Sequence, residues 1–261
     1  MITLSLILTQ FIFRLSFGVA IAMGVTPPKL VTSGFYRVHL WVLMGLNTLA
    51  SLAVFSSVEE DYPNRSIVFG LAIIAAVLSF VGSVVWLYEK PRAGILVLYL
   101  VALASLLAAG LATKLPEIVS DRGAALVILD LVSGGLLLGV TLSAMLLGHW
   151  YLNTPTMKLV PLQRLVLFMA GAIIARTILC AIGLSIHIQD QGSPDATMWA
   201  FITLRWLSGL LGTLMLAWLT WNTLKIPNTQ SATGILYAGV ILAFVGELVS
   251  QLLSVGELYP L

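Results

Sequence analysis

Charge is what this sequence has least of. Only 9% of its 261 residues are Asp, Glu, Lys or Arg, whereas 59% are hydrophobic, and the mean hydropathy is +1.04. Such a composition excludes an ordinary soluble globular protein. The net charge is +2 and the sequence has no basic tract, so it has no pattern typical of nucleic-acid binding.

Cysteine is nearly absent, and so are the usual catalytic motifs. The single cysteine, Cys180, excludes disulfides within the chain and metal sites built from several cysteines. The sequence also has no Ser-His-Asp arrangement, no glycine-rich phosphate loop and no His/Glu metal-ligand spacing. We therefore expect no metal site and no self-contained hydrolase or ATPase. Any enzymatic role would be that of a non-catalytic or quinone-handling subunit of an oxidoreductase complex.

What the sequence has instead is long apolar segments. Eight of them are long enough to cross a bilayer, which takes about 20 residues each, and proline, glycine or acidic residues separate them. They cover roughly 3–25, 36–57, 66–88, 94–113, 124–151, 162–187, 196–224 and 232–254. The first has no basic region before it and no clear cleavage site, so we interpret it as a retained helix. The pattern predicts an all-α integral membrane protein with eight transmembrane helices.

Short motifs recur in the same order in the two halves of the chain. The first copies are Thr26-Pro27, Lys29-Leu30-Val31, Arg37 and Gly94-Ile95-Leu96, and the second are Thr154-Pro155, Lys158-Leu159-Val160, Arg164 and Gly234-Ile235-Leu236. Recurrence at a fixed spacing predicts a duplicated unit. We expect two four-helix membrane bundles, residues 1–118 and 119–261. Because four is even, both would enter the membrane in the same direction, as a parallel repeat.

The basic residues of the loops predict the orientation in the membrane. The first, third, fifth and seventh loops, with their helix ends, hold Lys29, Arg37, Lys90, Arg92, Lys158, Arg164 and Lys225, whereas the other side holds Arg65, Lys114 and Arg122. Basic loops stay in the cytoplasm. The sequence therefore predicts cytoplasmic odd-numbered loops and both termini outside the cytoplasm.

Five ionisable residues fall at membrane depth, where they are costly and often functional. They are Arg14, Asp130, Arg176, Arg205 and Glu247. One interpretation is that the arginines simply pair with the carboxylates and hold helices together. The other is that the cluster lines a polar pocket for a head group such as a quinone, or passes protons. In either case we expect Arg176 or Arg205 within direct or one-water reach of Glu247.

Two further expectations concern single residues, Arg14 and His187. Arg14 has no acidic partner in its own half, so it reaches the cluster, binds an acidic group of a ligand, or binds a lipid phosphate. His187 is expected in the acidic outer loop that follows it, exposed to solvent.

His39, His149 and Arg37 form a second set of candidates, towards the predicted cytoplasmic side. Two such histidines could ligate a haem b. The alternative is an aromatic belt with a polar rim at the membrane surface, because Trp41 lies near His39 and Trp150-Tyr151 follow His149.

Two stretches resemble the membrane anchor subunits of dimethyl-sulfoxide-reductase-type and polysulfide-reductase-type oxidoreductases. One is Leu40-Trp41-Val42-Leu43-Met44-Gly45, followed by Ala50-Ser51, and the other is Gly246-Glu247-Leu248 in the last predicted helix. The resemblance implies eight helices in two four-helix bundles, no haem, and electron exchange between membrane quinol and an iron–sulfur partner subunit. That family has a histidine shortly after the first motif, where this chain has Ala53-Val54-Phe55.

These observations lead to one functional prediction and two alternatives. The prediction is an integral membrane subunit of a multisubunit electron-transfer complex, which anchors partner subunits and can hold a quinone. Its partners would be other subunits and lipids, and its location would be a membrane, the bacterial inner membrane if it follows that family. The alternatives are a small membrane transporter and a structural membrane subunit without a site of its own.

Overall fold

A computed structural model describes residues 4–57, 62, 64–113, 121–154, 156–226, 228–253 and 260, without the side chains of 121–124. This part of the chain folds into helices and contains no strand. Eight helices are long and apolar enough to cross a membrane: α1 Leu4–Val25, α2 Ser33–Ser56, α3 Arg65–Leu87, α4 Pro91–Leu111, α5 Asp121–Asn153, α6 Val160–Gln191, α7 Ala196–Lys225 and α8 Thr229–Leu253. The predicted all-α membrane fold with eight spanning helices is confirmed.

The helix ends follow the local chemistry of the sequence. Asp195 caps α7, since its carboxylate accepts a hydrogen bond from the backbone N–H of Met198 at 2.7 Å. The Asn228 side chain accepts one from Ser231 N–H at 3.0 Å at the start of α8. Helix α6 ends at Gln191 and is followed by Gly192, whose φ of 89° is a backbone angle that glycine adopts more readily than other residues.

The prediction for His187 was wrong. Helix α6 continues to Gln191, so His187 lies in its last turns rather than in a loop, and its side chain is buried. The acidic residues that follow it had suggested an earlier helix end.

Each half of the chain closes into a ring of four helices. In the first half α1 packs on α2, α2 on α3, α3 on α4 and α4 on α1, and in the second half α5, α6, α7 and α8 pack in the same cyclic order. The predicted boundary between 118 and 119 lies outside the described residues, as does Lys114. That the two halves superpose as a parallel repeat stays a prediction.

The two halves meet along α1 and α5, where glycine allows the backbones to touch. A Cβ on Gly18 would stand 1.8 Å from the carbonyl oxygen of Gly135, and one on Gly139 would stand 1.9 Å from the carbonyl carbon of Gly18. Residue numbers rise together along both helices in these contacts, so α1 and α5 run in the same direction. Close small-residue packing of this kind is a common way for membrane helices to associate.

Helix α7 is irregular at its centre. Residues Arg205–Gly212 form a π-helix between two α-helical segments, Ala196–Leu204 and Thr213–Lys225. π-helical segments are rare and are frequently found at functional sites. Arg205, one of the predicted site residues, is the first residue of this segment.

Candidate functional site

Four helices bring four of the predicted residues into one buried ion-pair network, which we call the charge cluster: Arg14 from α1, Asp130 from α5, Arg176 from α6 and Glu247 from α8. The Arg176 guanidinium lies 2.6 Å from Asp130 Oδ1 and 3.0 Å from Glu247 Oε1. Arg14 Nη1 lies 2.8 Å from Asp130 Oδ2 and 3.8 Å from Glu247 Oε2. All four side chains are at least nine-tenths buried. Each arginine therefore contacts both carboxylates.

Arg176 is the centre of the cluster. Its Nη1 also donates to the backbone carbonyl of Asp130 at 3.1 Å and to Ser133 Oγ at 2.9 Å. Its Nη2 donates to Ser250 Oγ at 3.2 Å, and its Nε donates to Glu247 Oε1 at 3.0 Å. Every nitrogen of this guanidinium thus has an acceptor, as a buried cation requires.

Two open questions about the cluster are answered by this geometry. The predicted ion pair between Glu247 and an arginine is confirmed, and the partner is Arg176. Of the three alternatives for Arg14, the first applies, since Arg14 crosses from the first half and reaches the cluster. Gly134 leaves room for the cluster, because a Cβ there would lie 3.2 Å from Arg14 Nη1 and 2.7 Å from Glu247 Oε2.

Arg205 lies in a different environment from the other two arginines. Its side chain is 1% exposed, and Nη2 donates to Cys180 Sγ at 3.0 Å. Within the described part of the chain, Nη1 has no hydrogen-bond partner, and Arg205 forms no ion pair with a carboxylate. A fully buried guanidinium with a thiol as its polar partner is poorly compensated.

Gln251 of α8 is a buried polar side chain that sequence reasoning missed. Its amide is buried, and neither Oε1 nor Nε2 has a hydrogen-bond partner among the described residues. Gly209 of α7 touches Gly246 of α8, where a Cβ would stand 2.7 Å from the Gly246 Cα. Helices α7 and α8 are antiparallel neighbours. About one turn from this contact, Arg205 of α7 and Ser250 of α8 therefore lie at the same level, and Gln251 follows Ser250 in the sequence. A glutamine in an apolar helix gave no signal, since it is uncharged.

The buried charges of the described residues do not balance. They comprise three arginines, Arg14, Arg176 and Arg205, and two carboxylates, Asp130 and Glu247, which leaves one positive charge in excess. The arginine without a carboxylate partner is Arg205. Among the described residues, Arg205 thus keeps one guanidinium nitrogen without an acceptor.

The three secondary candidates lie far from the charge cluster. His149 is 19 residues beyond Asp130 on α5, which is about 28 Å at about 1.5 Å per residue. Its Nδ1 lies 3.3 Å from the hydroxyl of Tyr237, whereas Nδ1 of His39 lies 2.6 Å from the carbonyl oxygen of Phe35. Arg37 lies over the ring of Trp41 at 5.8 Å. Among the described residues no three His, Cys, Asp or Glu side chains form a group that could hold a metal ion.

An open apolar groove runs between α6 and α7 on the outer surface of the second half. It has a volume of about 550 Å³, and its lining includes Val166, Ala170, Leu211, Met215 and Trp218. Leu211 lies six residues beyond Arg205, within the same π-helical segment. The groove is thus a lipid-facing surface next to the π-helical segment.

No family model, curated protein or solved structure matches this chain. The resemblance to oxidoreductase anchor subunits therefore stays a prediction that rests on its two short motifs.

Proposed function

We propose that this protein is the membrane subunit of a multisubunit electron-transfer complex, in which it anchors partner subunits and holds a quinone head group at Arg205. The observation that carries the proposal is the unpartnered Nη1 of this buried arginine, at the edge of a cluster with one positive charge in excess. The described residues form no soluble domain and no group that could hold a metal ion. Electrons would accordingly come from partner subunits.

The chemistry of the free donors fits a quinone. A quinone ring carries two carbonyl oxygens, which accept hydrogen bonds, and an isoprenoid tail, which is soluble in the bilayer. Arg205 Nη1 would donate to one carbonyl oxygen. The Gln251 amide, whose polar atoms have no partner among the described residues, would orient the ring. The apolar groove between α6 and α7 offers a surface for the tail. When bound, a quinone would supply two-electron redox chemistry that this chain's own residues do not.

A second candidate function is favoured by a different observation. Asp130, Arg14, Arg176 and Glu247 form ion pairs with one another, so they can hold four helices together without any ligand. In that case the protein would be a structural membrane subunit. Arg205 separates the two candidates, because it contributes little to the mutual pairing of the other four groups.

Substitution of Arg205 by Gln tests the proposal. A purely structural cluster would keep or gain stability, since the change removes an uncompensated buried charge. A quinone site would lose the bound quinone while the protein stays folded. We would purify the native complex with wild-type and Arg205→Gln protein, identify co-purifying chains, and quantify extracted quinones by mass spectrometry. Wild-type complex without partner chains or quinone would refute the proposal, and Arg37→Gln, far from the cluster, is the matched control.

We further propose that the termini lie outside the cytoplasm and the lysine-rich loops inside, in agreement with the distribution of basic residues. Cysteine labelling on a Cys180→Ser background tests this orientation. Lys158→Cys should be protected from an impermeant thiol reagent in intact cells, whereas Arg65→Cys should be labelled. The opposite pattern would reverse the orientation.

A further inference from the structure

A pocket of about 350 Å³ opens at the end of the bundle where α1 finishes and α6 begins. Its walls come from both halves of the chain: Val25, Thr26 and Pro27 from the first half, and Pro161, Arg164 and Phe168 from the second. Thr26-Pro27 and Arg164 belong to the motif that recurs in the sequence, and nothing in the proposed electron-transfer role uses them. The pocket is also remote from the charge cluster.

The corresponding junction of α5 with α2 is closed by a large side chain. Trp150 there packs on Gly34, where a Cβ would lie 3.2 Å from the indole, and its Nε1 donates to Thr32 Oγ1 at 2.9 Å. Trp150 precedes Thr154 by four residues, and the residue that precedes Thr26 by four is Ala22. A methyl group thus stands in the recurring position that an indole occupies at the closed junction.

Arg164 gives the pocket a free positive charge. The side chain is exposed, and among the described residues it has no hydrogen bond and no ion pair. Its counterpart in the recurring motif, Arg37, lies over the ring of Trp41 instead. This end of the bundle carries one described carboxylate, Glu89, against seven basic residues: Lys29, Arg37, Lys90, Arg92, Lys158, Arg164 and Lys225. A ligand with a negative charge is therefore favoured here.

The pocket is polar at its rim and apolar further in, as a lipid is polar at its head group and apolar along its chains. Arg164 and Pro27 lie at the rim, at the start of the second turn of α6 and just after α1. Leu165 and Phe168 follow Arg164 into the membrane along α6, and Val25 faces them from the last residue of α1. The rim is cationic and the inner part is apolar. A soluble anion would use only the rim, whereas an amphipathic ligand would use both parts.

We propose that this pocket binds an anionic phospholipid, with the phosphate on Arg164 and the start of an acyl chain against Val25, Leu165 and Phe168. The ligand would bridge the two halves of the chain at the end opposite the charge cluster. This inference is independent of quinone binding and of any partner subunit.

Lipid titration of the purified full chain in neutral detergent, followed by native mass spectrometry, tests the proposal. The probes are phosphatidylglycerol and phosphatidylcholine with identical acyl chains. Arg164→Gln should weaken phosphatidylglycerol binding about fivefold, which corresponds to about 1 kcal/mol per basic residue at an anionic surface. Arg164→Lys should keep most of the binding. Arg37→Gln is the matched control, because it removes an equivalent cation from the closed junction, and it should have little effect.

A second variant fills the pocket without changing its charge. Val25 is 50% exposed, so Val25→Trp should fold, place an indole in the opening and reduce phosphatidylglycerol binding. Equal effects of Arg164→Gln and Arg37→Gln would overturn the proposal, as would unchanged binding in Val25→Trp with an unchanged thermal midpoint. Displacement of the lipid by an equal concentration of glycerol 3-phosphate would indicate a site for soluble phosphate and would also overturn it.

Discussion

The two halves of the molecule have the same cyclic helix packing but different interiors. The first half buries neutral polar side chains that mostly bond to their own helix: Asn47 donates to Leu43 O at 2.8 Å and Ser79 donates to Ala75 O at 2.7 Å. The second half buries charges that bond between helices, above all those of Arg176. Neutral groups that form their hydrogen bonds within one helix do not constrain which helices pack together. Ion pairs between helices do.

The difference also explains how the halves are joined. Of the five buried arginine, aspartate and glutamate side chains among the described residues, four belong to the second half, and Arg14 comes from the first. Arg14 enters the charge cluster just where Gly18, Gly135 and Gly139 bring α1 and α5 into backbone contact. Tight packing and a buried ion pair thus occur at the same interface. The following predictions test this contrast between the halves, beginning with the largest effect.

Loss of Arg176 should have the largest effect on stability. Arg176→Met leaves Asp130 and Glu247 with Arg14 as their remaining close cation, and removing one partner of a buried ion pair costs about 3–5 kcal/mol. Reversible unfolding in mixed micelles measures the free energy of unfolding. Arg205→Met is the matched control, since both arginines are fully buried in the same half but Arg205 has no carboxylate partner. Equal losses in the two variants would contradict the assigned pairing.

A methyl group at the interface between the halves should have the next largest effect. Gly139→Ala would place its Cβ 1.9 Å from the backbone of Gly18, so α1 and α5 must move apart. We expect a loss of about 3 kcal/mol, the upper part of the usual range for overpacking. Gly171→Ala is the control, because nothing lies within 4 Å of its Cβ position. A harmless Gly139→Ala would show that the halves do not pack through these glycines.

Neutralising Glu247 should cost less than removing Arg176. Glu247→Gln keeps an oxygen that can accept from Arg176 Nε, but its amide N–H groups would face the guanidinium groups of Arg176 and Arg14. The guanidinium N–H groups that faced the replaced carboxylate oxygen are then left without an acceptor. We expect the free energy of unfolding to fall by about 1–3 kcal/mol in the same assay. An unchanged free energy of unfolding would indicate that the charge of Glu247 does not contribute to the stability of the cluster.

The sequence predicted the helices well because apolar length and loop punctuation determine them locally. It also predicted that Glu247 pairs with an arginine, since few cations lie at the same depth and a lone buried charge is costly. It did not single out one alternative for Arg14, because the contact between α1 and α5 joins residues more than a hundred positions apart. Gln251 gave no signal because it is uncharged. The burial of His187 was missed because acidic neighbours suggested a loop.

The smallest effect is expected for a neutral polar group in the first half. Gln10 Nε2 donates to Ala109 O at 2.9 Å and to Thr113 Oγ1 at 3.2 Å, while its Oε1 has no partner among the described residues. Gln10→Leu removes both bonds, but Ala109 O keeps a hydrogen bond from Thr113 Oγ1 at 2.9 Å, and the unsatisfied oxygen disappears. The net change in the free energy of unfolding should stay within about 1 kcal/mol. A loss as large as that of Arg176→Met would mean that neutral bonds between α1 and α4 hold the first half together as the ion pairs hold the second. The two interiors would then differ in their chemistry but stabilise their halves equally.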